Sequence, residues 1–104
     1  MDETLKRIKR AIIAGHYQFS FKAVVELDVD GLSESDALES ILNAPKIYKT
    51  IRSTSPQRAR RREYLHIIIG DTLDGTPVYT KGKLVASGGI ETYYFLVSSK
   101  RALT

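Results

Sequence analysis

The chain has 104 residues, 42% of them hydrophobic and 27% charged, with a net charge of +4 and no cysteine. These values exclude a disordered chain, a disulfide framework and a thiolate nucleophile, and they are typical of a single domain spanning residues 1–104. No apolar run approaches the roughly 20 residues of a membrane span, and no signal peptide is visible, so a cytoplasmic protein without a membrane partner is expected. Two histidines without cysteine disfavour a zinc site, and neither a metal nor a cofactor is expected.

Three amphipathic helices are predicted in the N-terminal half. Apolar residues recur at helical spacing in residues 3–14, with cations between them. Ser20 is placed to cap a second helix, which is expected to bury its apolar side chains, including Phe21 and Val25. Ser33 is placed to cap a third helix, which the next proline ends.

Alternating apolar and polar residues then predict four strands, separated by a polar loop, an Asp-Gly turn and a Gly-Gly break. The predicted strands cover residues 47–52, 63–70, 78–85 and 90–98. The predicted fold is therefore α+β, with three N-terminal helices packed on one face of a four-stranded antiparallel sheet.

Strand parity predicts which side chains the sheet displays to solvent. Leu65, Ile67 and Ile69 are assigned to the helix-covered face because they are the most apolar set of their strand. In the last strand Tyr93, Phe95 and Val97 are assigned to the core. The residues then expected on the exposed face are Tyr48, Arg52, Tyr64, His66, Tyr79, Lys81, Lys83 and Tyr94.

Charge points to RNA as the ligand of that face. Eleven of the sixteen Lys and Arg residues lie after residue 45, where only four acids occur. Tyrosine rings stack on unpaired bases and cations hold phosphates, so the face is suited to RNA. The loop that carries Arg58, Arg60, Arg61 and Arg62 precedes the second strand and is predicted to fold over the exposed face. The alternative is that the tyrosines are half-buried sheet residues and the lysines protect strand edges.

The same face would have the groups for RNA cleavage without metal, which needs a base, an acid and a cation for the crowded phosphate. His66 is the predicted base, since it is the one central side chain that titrates near neutral pH, although a structural histidine is the alternative. Tyr79 would donate a proton, with Tyr94 in reserve. The predicted phosphate-binding residues are Lys81, Lys83, Arg60 and Arg62.

Four segments resemble a family of small prokaryotic proteins of uncharacterised function. They are Gln18-Phe-Ser-Phe-Lys-Ala23, Gly31-Leu-Ser-Glu-Ser-Asp36, Tyr64-Leu-His-Ile-Ile-Ile-Gly70 and Asp74-Gly-Thr-Pro-Val-Tyr79. The resemblance covers residues 17–99 and is more specific for fold than for activity. The family resembles the MqsR, BrnT and RelE-like ribonuclease toxins, which implies a RelE/MqsR-like fold.

The resemblance implies a toxin-like, metal-independent endoribonuclease acting on mRNA, partnered by an antitoxin such as the MqsA-type zinc-finger proteins. Lys22 stands where many relatives have histidine, and Glu26 where they have arginine, so Lys22 would supply the positive charge or activity would be lost. Two other hypotheses stay open: a non-catalytic RNA- or protein-binding module, and an inactive partner that docks an antitoxin. An exposed edge strand would also allow self-association.

Overall fold

The computed structural model of this protein describes residues 2–52, 63–87 and 91–103. Within them the fold is α+β, with three helices and a five-stranded mixed sheet of strand order β1-β5-β4-β3-β2. The elements in chain order are α1 (Glu3–Ile13), β1 (Tyr17–Phe19), α2 (Phe21–Val29), α3 (Glu34–Asn43), β2 (Lys49–Arg52), β3 (Tyr64–Asp71), β4 (Pro77–Ser87) and β5 (Glu91–Arg101).

The prediction of a four-stranded antiparallel sheet is wrong because β1 adds a fifth strand in parallel orientation. Tyr17 to Phe19 pair with Tyr94 to Leu96 of β5, at one edge of the sheet. The remaining neighbours, β2 with β3, β3 with β4 and β4 with β5, are antiparallel. Three residues are too few to show the alternation of a strand, so the backbone ladder with β5 decides their conformation.

Side-chain caps fix where the helices begin. The Ser20 hydroxyl accepts a hydrogen bond from the backbone N–H of Ala23, and Ser33 forms a capping box with Asp36. Asp2 caps α1 by accepting from the backbone N–H of Thr4. Each cap satisfies a backbone donor that the first helical turn leaves without a partner, and each is worth about 1 kcal/mol.

The core lies between the helices and one face of the sheet. Ile68 of β3 and Leu96 of β5 are completely buried there. The main cluster of buried residues joins them to Leu5, Ile8, Ala11, Ile12, Ile41, Ala44 and Tyr94. A smaller cluster joins Leu27 of α2 and Ala37 of α3 to Val78 of β4. All three helices therefore pack on the same face of the sheet.

The predicted orientation of β3 is wrong, because Ile68 and not Leu65, Ile67 and Ile69 faces the helices. The set of Leu65, Ile67 and Ile69 is the more apolar one, so hydrophobicity along the strand selects the wrong face. Gly70 lies on the same side of β3 as Ile68 and decides which side of the strand faces the helices. A Cβ added at Gly70 would collide with the backbone carbonyl oxygen of Ser40, so only glycine lets α3 pack this closely.

The same reversal occurs in β5. Tyr94 and Leu96 are completely buried, whereas Tyr93, Phe95 and Val97, which the sequence assigned to the core, are only half-buried. The pairing of β4 with β5 explains why, since Leu84 opposes Tyr94 and Gly82 opposes Leu96 on the helix-covered side. A choice of the more apolar set is therefore misleading in a strand that is apolar on both sides.

The expected burial of the larger apolar residues of α2 is also wrong. Phe21 is 84% exposed and Val25 is 42% exposed, while Ala23 and Leu27 are buried. The helix docks on β5 through carboxylates as well as through apolar contacts. Glu26 accepts hydrogen bonds from the Ser98 hydroxyl and the backbone N–H of Ser99, and Asp30 accepts from the backbone N–H of Arg101. These bonds cover the β5 edge beyond the short β1.

Candidate nucleic-acid interface

The sheet face opposite the helices, called the open face below, has no described helix packed on it. Direct cross-strand partners have side chains on the same face of a sheet. Ile67 pairs with Lys81 and Ile69 with Tyr79, so these four residues lie together on the open face. The pairing also places there Lys49, Ile51, Leu65, Lys83, Val85, Tyr93, Phe95 and Lys100.

Cations and aromatic rings alternate across the open face. The Lys100 Nζ lies 5.3 Å from the centroid of the Tyr79 ring, its cross-strand partner. The Lys83 Nζ lies 5.8 Å from the centroid of the Phe95 ring, again a cross-strand partner. These distances allow cation–π attraction, which holds each ammonium group above a ring.

The open face carries an excess of positive charge. Lys49, Lys81, Lys83 and Lys100 lie on it. Two described acids also lie there: Glu63, which forms a 2.9 Å ion pair with Lys83, and Asp71, the cross-strand partner of Pro77. That pair is shielded, with 13% of the lysine side chain and 24% of the glutamate side chain exposed. Because the four lysines outnumber the carboxylates that the described residues bring to this face, the face attracts anions.

The phenol of Tyr79 is a hydrogen-bond donor at neutral pH. Partial burial raises the pKa of Tyr79 above its ordinary value, and the Glu26 carboxylate raises it further. Since an unperturbed tyrosine titrates near pH 10, Tyr79 stays protonated in the physiological range.

The open face is an extended array. Tyr79, Lys81 and Lys83 alternate along β4, so successive members are about 7 Å apart and Tyr79 is roughly 13 Å from Lys83. No single phosphate can contact both ends of that row. This spacing is typical of a surface that follows a chain of charges, and it does not bring Tyr79 and Lys83 to one reacting centre.

His66 does not belong to the open face, and the prediction that it shares a surface with Tyr79 and Lys81 is wrong. It pairs with Gly82 and lies on the helix-covered side, where 9% of it is exposed. Its Nδ1 is 3.1 Å from the hydroxyl of Thr50 on β2. Burial lowers the pKa of His66, and the Asp2 carboxylate opposes that effect. The side chain is therefore a buried, neutral member of the sheet interior.

Tyr94 is likewise on the helix-covered side, and the prediction of an exposed Tyr94 is wrong. It is completely buried, and its ring lies over Gly82, where an added Cβ would stand 2.6 Å from the ring. Its hydroxyl has no hydrogen-bond partner, and burial raises its pKa far above the usual range. The glycine explains the burial, because only a residue without a Cβ leaves room for the ring.

The remaining predicted residues are distributed around the molecule. Tyr64 and Arg52 oppose each other at the end of β3 and β2, on the side of His66, so they too are absent from the open face. Tyr48 is exposed just before β2, and Lys22 is exposed on α2. The predicted loop cations Arg58, Arg60, Arg61 and Arg62 lie outside the described residues.

Sequence reasoning missed Lys49, Phe95 and Lys100 on the open face. Lys100 lies beyond residue 98, where the last strand was predicted to end, but β5 continues to Arg101. The register of β4 with β5 shifts between Lys81 and Gly82, which places an extra residue in β5 and changes its parity. Gly82 is the one local signal for such a bulge, since glycine within a strand often marks one.

Within residues 2–52, 63–87 and 91–103, no three histidine, cysteine or acidic side chains are grouped so that they could hold a metal ion. None of the helices found there is both long and apolar enough to cross a membrane. Comparisons of the chain with models of known protein families, with curated proteins and with solved structures found no match. The relation to the ribonuclease toxins therefore stays an expectation drawn from the four segments.

Proposed function

We propose that the open face binds single-stranded RNA. The observation that supports this proposal is the alternation of four lysines with Tyr79, Tyr93 and Phe95 on a sheet face that no described helix covers. A β-sheet face with aromatic rings and cations is a common surface for unpaired nucleic acid, because rings stack on bases of any sequence.

The lysine–ring pairs explain how a bound strand would be accommodated. A base stacking on the Tyr79 ring takes the place of the Lys100 ammonium, which then lies beside the backbone phosphate of the same nucleotide. Lys81 lies one pleat away along β4, in reach of the next phosphate. Each stacked base contributes about 1–3 kcal/mol, and each neutralised phosphate adds a salt-dependent contribution.

The Glu26 carboxylate acts on Tyr79 at one end of the row, and Glu63 forms an ion pair with Lys83 at the other end. Glu63 neutralises Lys83 and also places a carboxylate near any phosphate bound there. Lys81 and Lys100 form no ion pair with a described residue, so they contribute most to phosphate binding. The RNA contact is therefore centred on Tyr79, Lys81 and Lys100.

Binding of a labelled single-stranded RNA, measured by fluorescence anisotropy over a salt series, tests the proposal. Lys81→Ala and Lys100→Ala are expected to weaken binding and to reduce the slope of log K against log salt by about 0.7 each. Lys22→Ala is the matched control, because it removes the same charge from an exposed position on α2. Equal losses for all three variants would show attraction to net charge and contradict the proposal.

Metal-independent cleavage of the bound RNA is the second candidate, because Tyr79, a protonated donor, and Lys81 lie two residues apart on the open face. Purified protein incubated with mRNA in EDTA would then produce discrete cuts, and Tyr79→Phe would abolish them while binding persists. Tight binding without cuts would reject cleavage and leave the binding proposal intact.

A further inference from the structure

A cationic cavity on the helix side of the molecule is not explained by RNA binding at the open face. It is a depression of about 230 Å³, open to solvent, between α1 and the residues that lead into β1. The lining residues are Arg7, Arg10, Ala11, Ala14 and His16. We propose that this cavity binds a phosphate group, either free or carried by a small phosphoester.

The walls of the cavity are held by the fold. Arg7, Ala11 and Ala14 follow the spacing i, i+4 and i+7, so they share one flank of α1. The two alanines leave the space between α1 and His16 unfilled. On the opposite wall, the backbone carbonyl of His16 accepts a hydrogen bond of 2.9 Å from the Tyr94 backbone N–H, which ties it to β5.

The charges of the cavity favour an anion. Its lining includes two arginines and no acid, and neither guanidinium forms an ion pair with a described residue. The negative end of the helix dipole lies at the C-terminal end of α1 and opposes an anion, so part of the charge of Arg10, in the last turn, offsets the dipole. Arg7, exposed one turn earlier on α1, contributes the second positive charge of the lining.

Guanidinium groups identify the ligand chemistry. Their planar, forked donors match the oxygens of a phosphate and bind it through paired hydrogen bonds. The cavity is smaller than the pockets of about 300 Å³ and above that enclose drug-sized ligands. It therefore holds the phosphate group itself, with any attached sugar or base directed towards solvent.

Chemical-shift mapping of amide resonances on the full chain tests this site separately from RNA binding. The ligands are inorganic phosphate, uridine 5′-monophosphate and uridine. Both phosphates are expected to shift the amides of Ala11, Ala14 and His16, and uridine is expected to shift none of them. Tighter binding of the monophosphate would identify a phosphoester as the ligand, and equal binding would identify the free anion; either result supports the site.

Two variants and one control complete the test. Arg7→Ala and Arg10→Ala should each weaken phosphate binding by about tenfold. Lys6→Ala, which removes an exposed cation of α1 outside the cavity, should change it by less than about twofold. The proposal is overturned if the three variants weaken binding equally, if uridine shifts the same amides, or if phosphate shifts none.

Discussion

The buried hydroxyl of Tyr94 allows a sharp test of the reversed orientation of β5. Tyr94 is completely buried and its hydroxyl has no hydrogen-bond partner. A buried polar group without a partner costs about 1–3 kcal/mol relative to its hydrated state. Tyr94→Phe removes that group and keeps the ring over Gly82, so the variant is expected to be more stable by about 1 kcal/mol.

Thermal unfolding measures the effect at neutral pH. For a domain of this size, about 1 kcal/mol corresponds to a rise in Tm of roughly 4–8 °C. Because the Tyr94 side chain does not reach the open face, RNA affinity is expected to change by less than about twofold. A residue that took part in RNA cleavage or stacking would give the opposite result: its substitution would weaken RNA cleavage or binding and change the stability little.

Alkaline pH amplifies the difference. Burial raises the pKa of Tyr94 above the value near pH 10 of an exposed tyrosine. Above pH 10 the unfolded chain therefore loses a proton that the folded chain retains, and stability falls as pH rises. The advantage of Tyr94→Phe should grow by up to about 1.4 kcal/mol per pH unit there.

Denaturant titrations at pH 7, 9, 10.5 and 11 measure both effects on the same pair of proteins. A loss of more than about 1 kcal/mol in the variant at pH 7 would show that the hydroxyl has a partner in the folded state. A constant difference across the alkaline range would show that Tyr94 is exposed. The first result would contradict the unpartnered hydroxyl, and the second would contradict the burial of this tyrosine beneath the helices.

Three further predictions concern the same packing. Because burial lowers the pKa of His66, the unfolded chain binds a proton more readily than the folded chain below about pH 6.5. The free energy of unfolding should therefore fall on acidification, and it should fall less steeply in His66→Gln. Denaturant titrations from pH 7 to 5 measure both slopes. Gly70→Ala places a Cβ against the carbonyl oxygen of Ser40 and should lower the free energy of unfolding by about 1–3 kcal/mol; an unchanged value would contradict the close packing of α3. Phe21→Ser, at a position 84% exposed, should change it by less than about 0.5 kcal/mol, whereas Leu27→Ala, on the buried side of α2, should cost about 2–5 kcal/mol.

The positions of helices and turns could be predicted from the sequence because their signals are local. Ser20 and Ser33 begin α2 and α3 through hydrogen bonds to backbone groups three residues away. Gly75 adopts a φ of 86° in the turn between β3 and β4, which an Asp-Gly pair predicts. Tyr79, Lys81 and Lys83 were correctly expected to share one face of the sheet, because neighbours along one strand alternate regardless of the rest of the fold.

The face of β3 and β5 that meets the helices could not be predicted, because in each strand the less apolar set of side chains is the buried one. The choice depends on distant residues: Gly70 admits α3, and Gly82 admits the ring of Tyr94. The parallel pairing of β1 with β5 joins residues almost 80 positions apart in sequence, at Tyr17 and Tyr94. The three residues of β1 are too few to show a pattern that would predict this pairing. The sequence by itself thus determined the local elements and the alternation of lysine with tyrosine along β4. Only the tertiary structure separated His66 and Tyr94 from that row, since burial is a property of contacts between elements and not of any one segment.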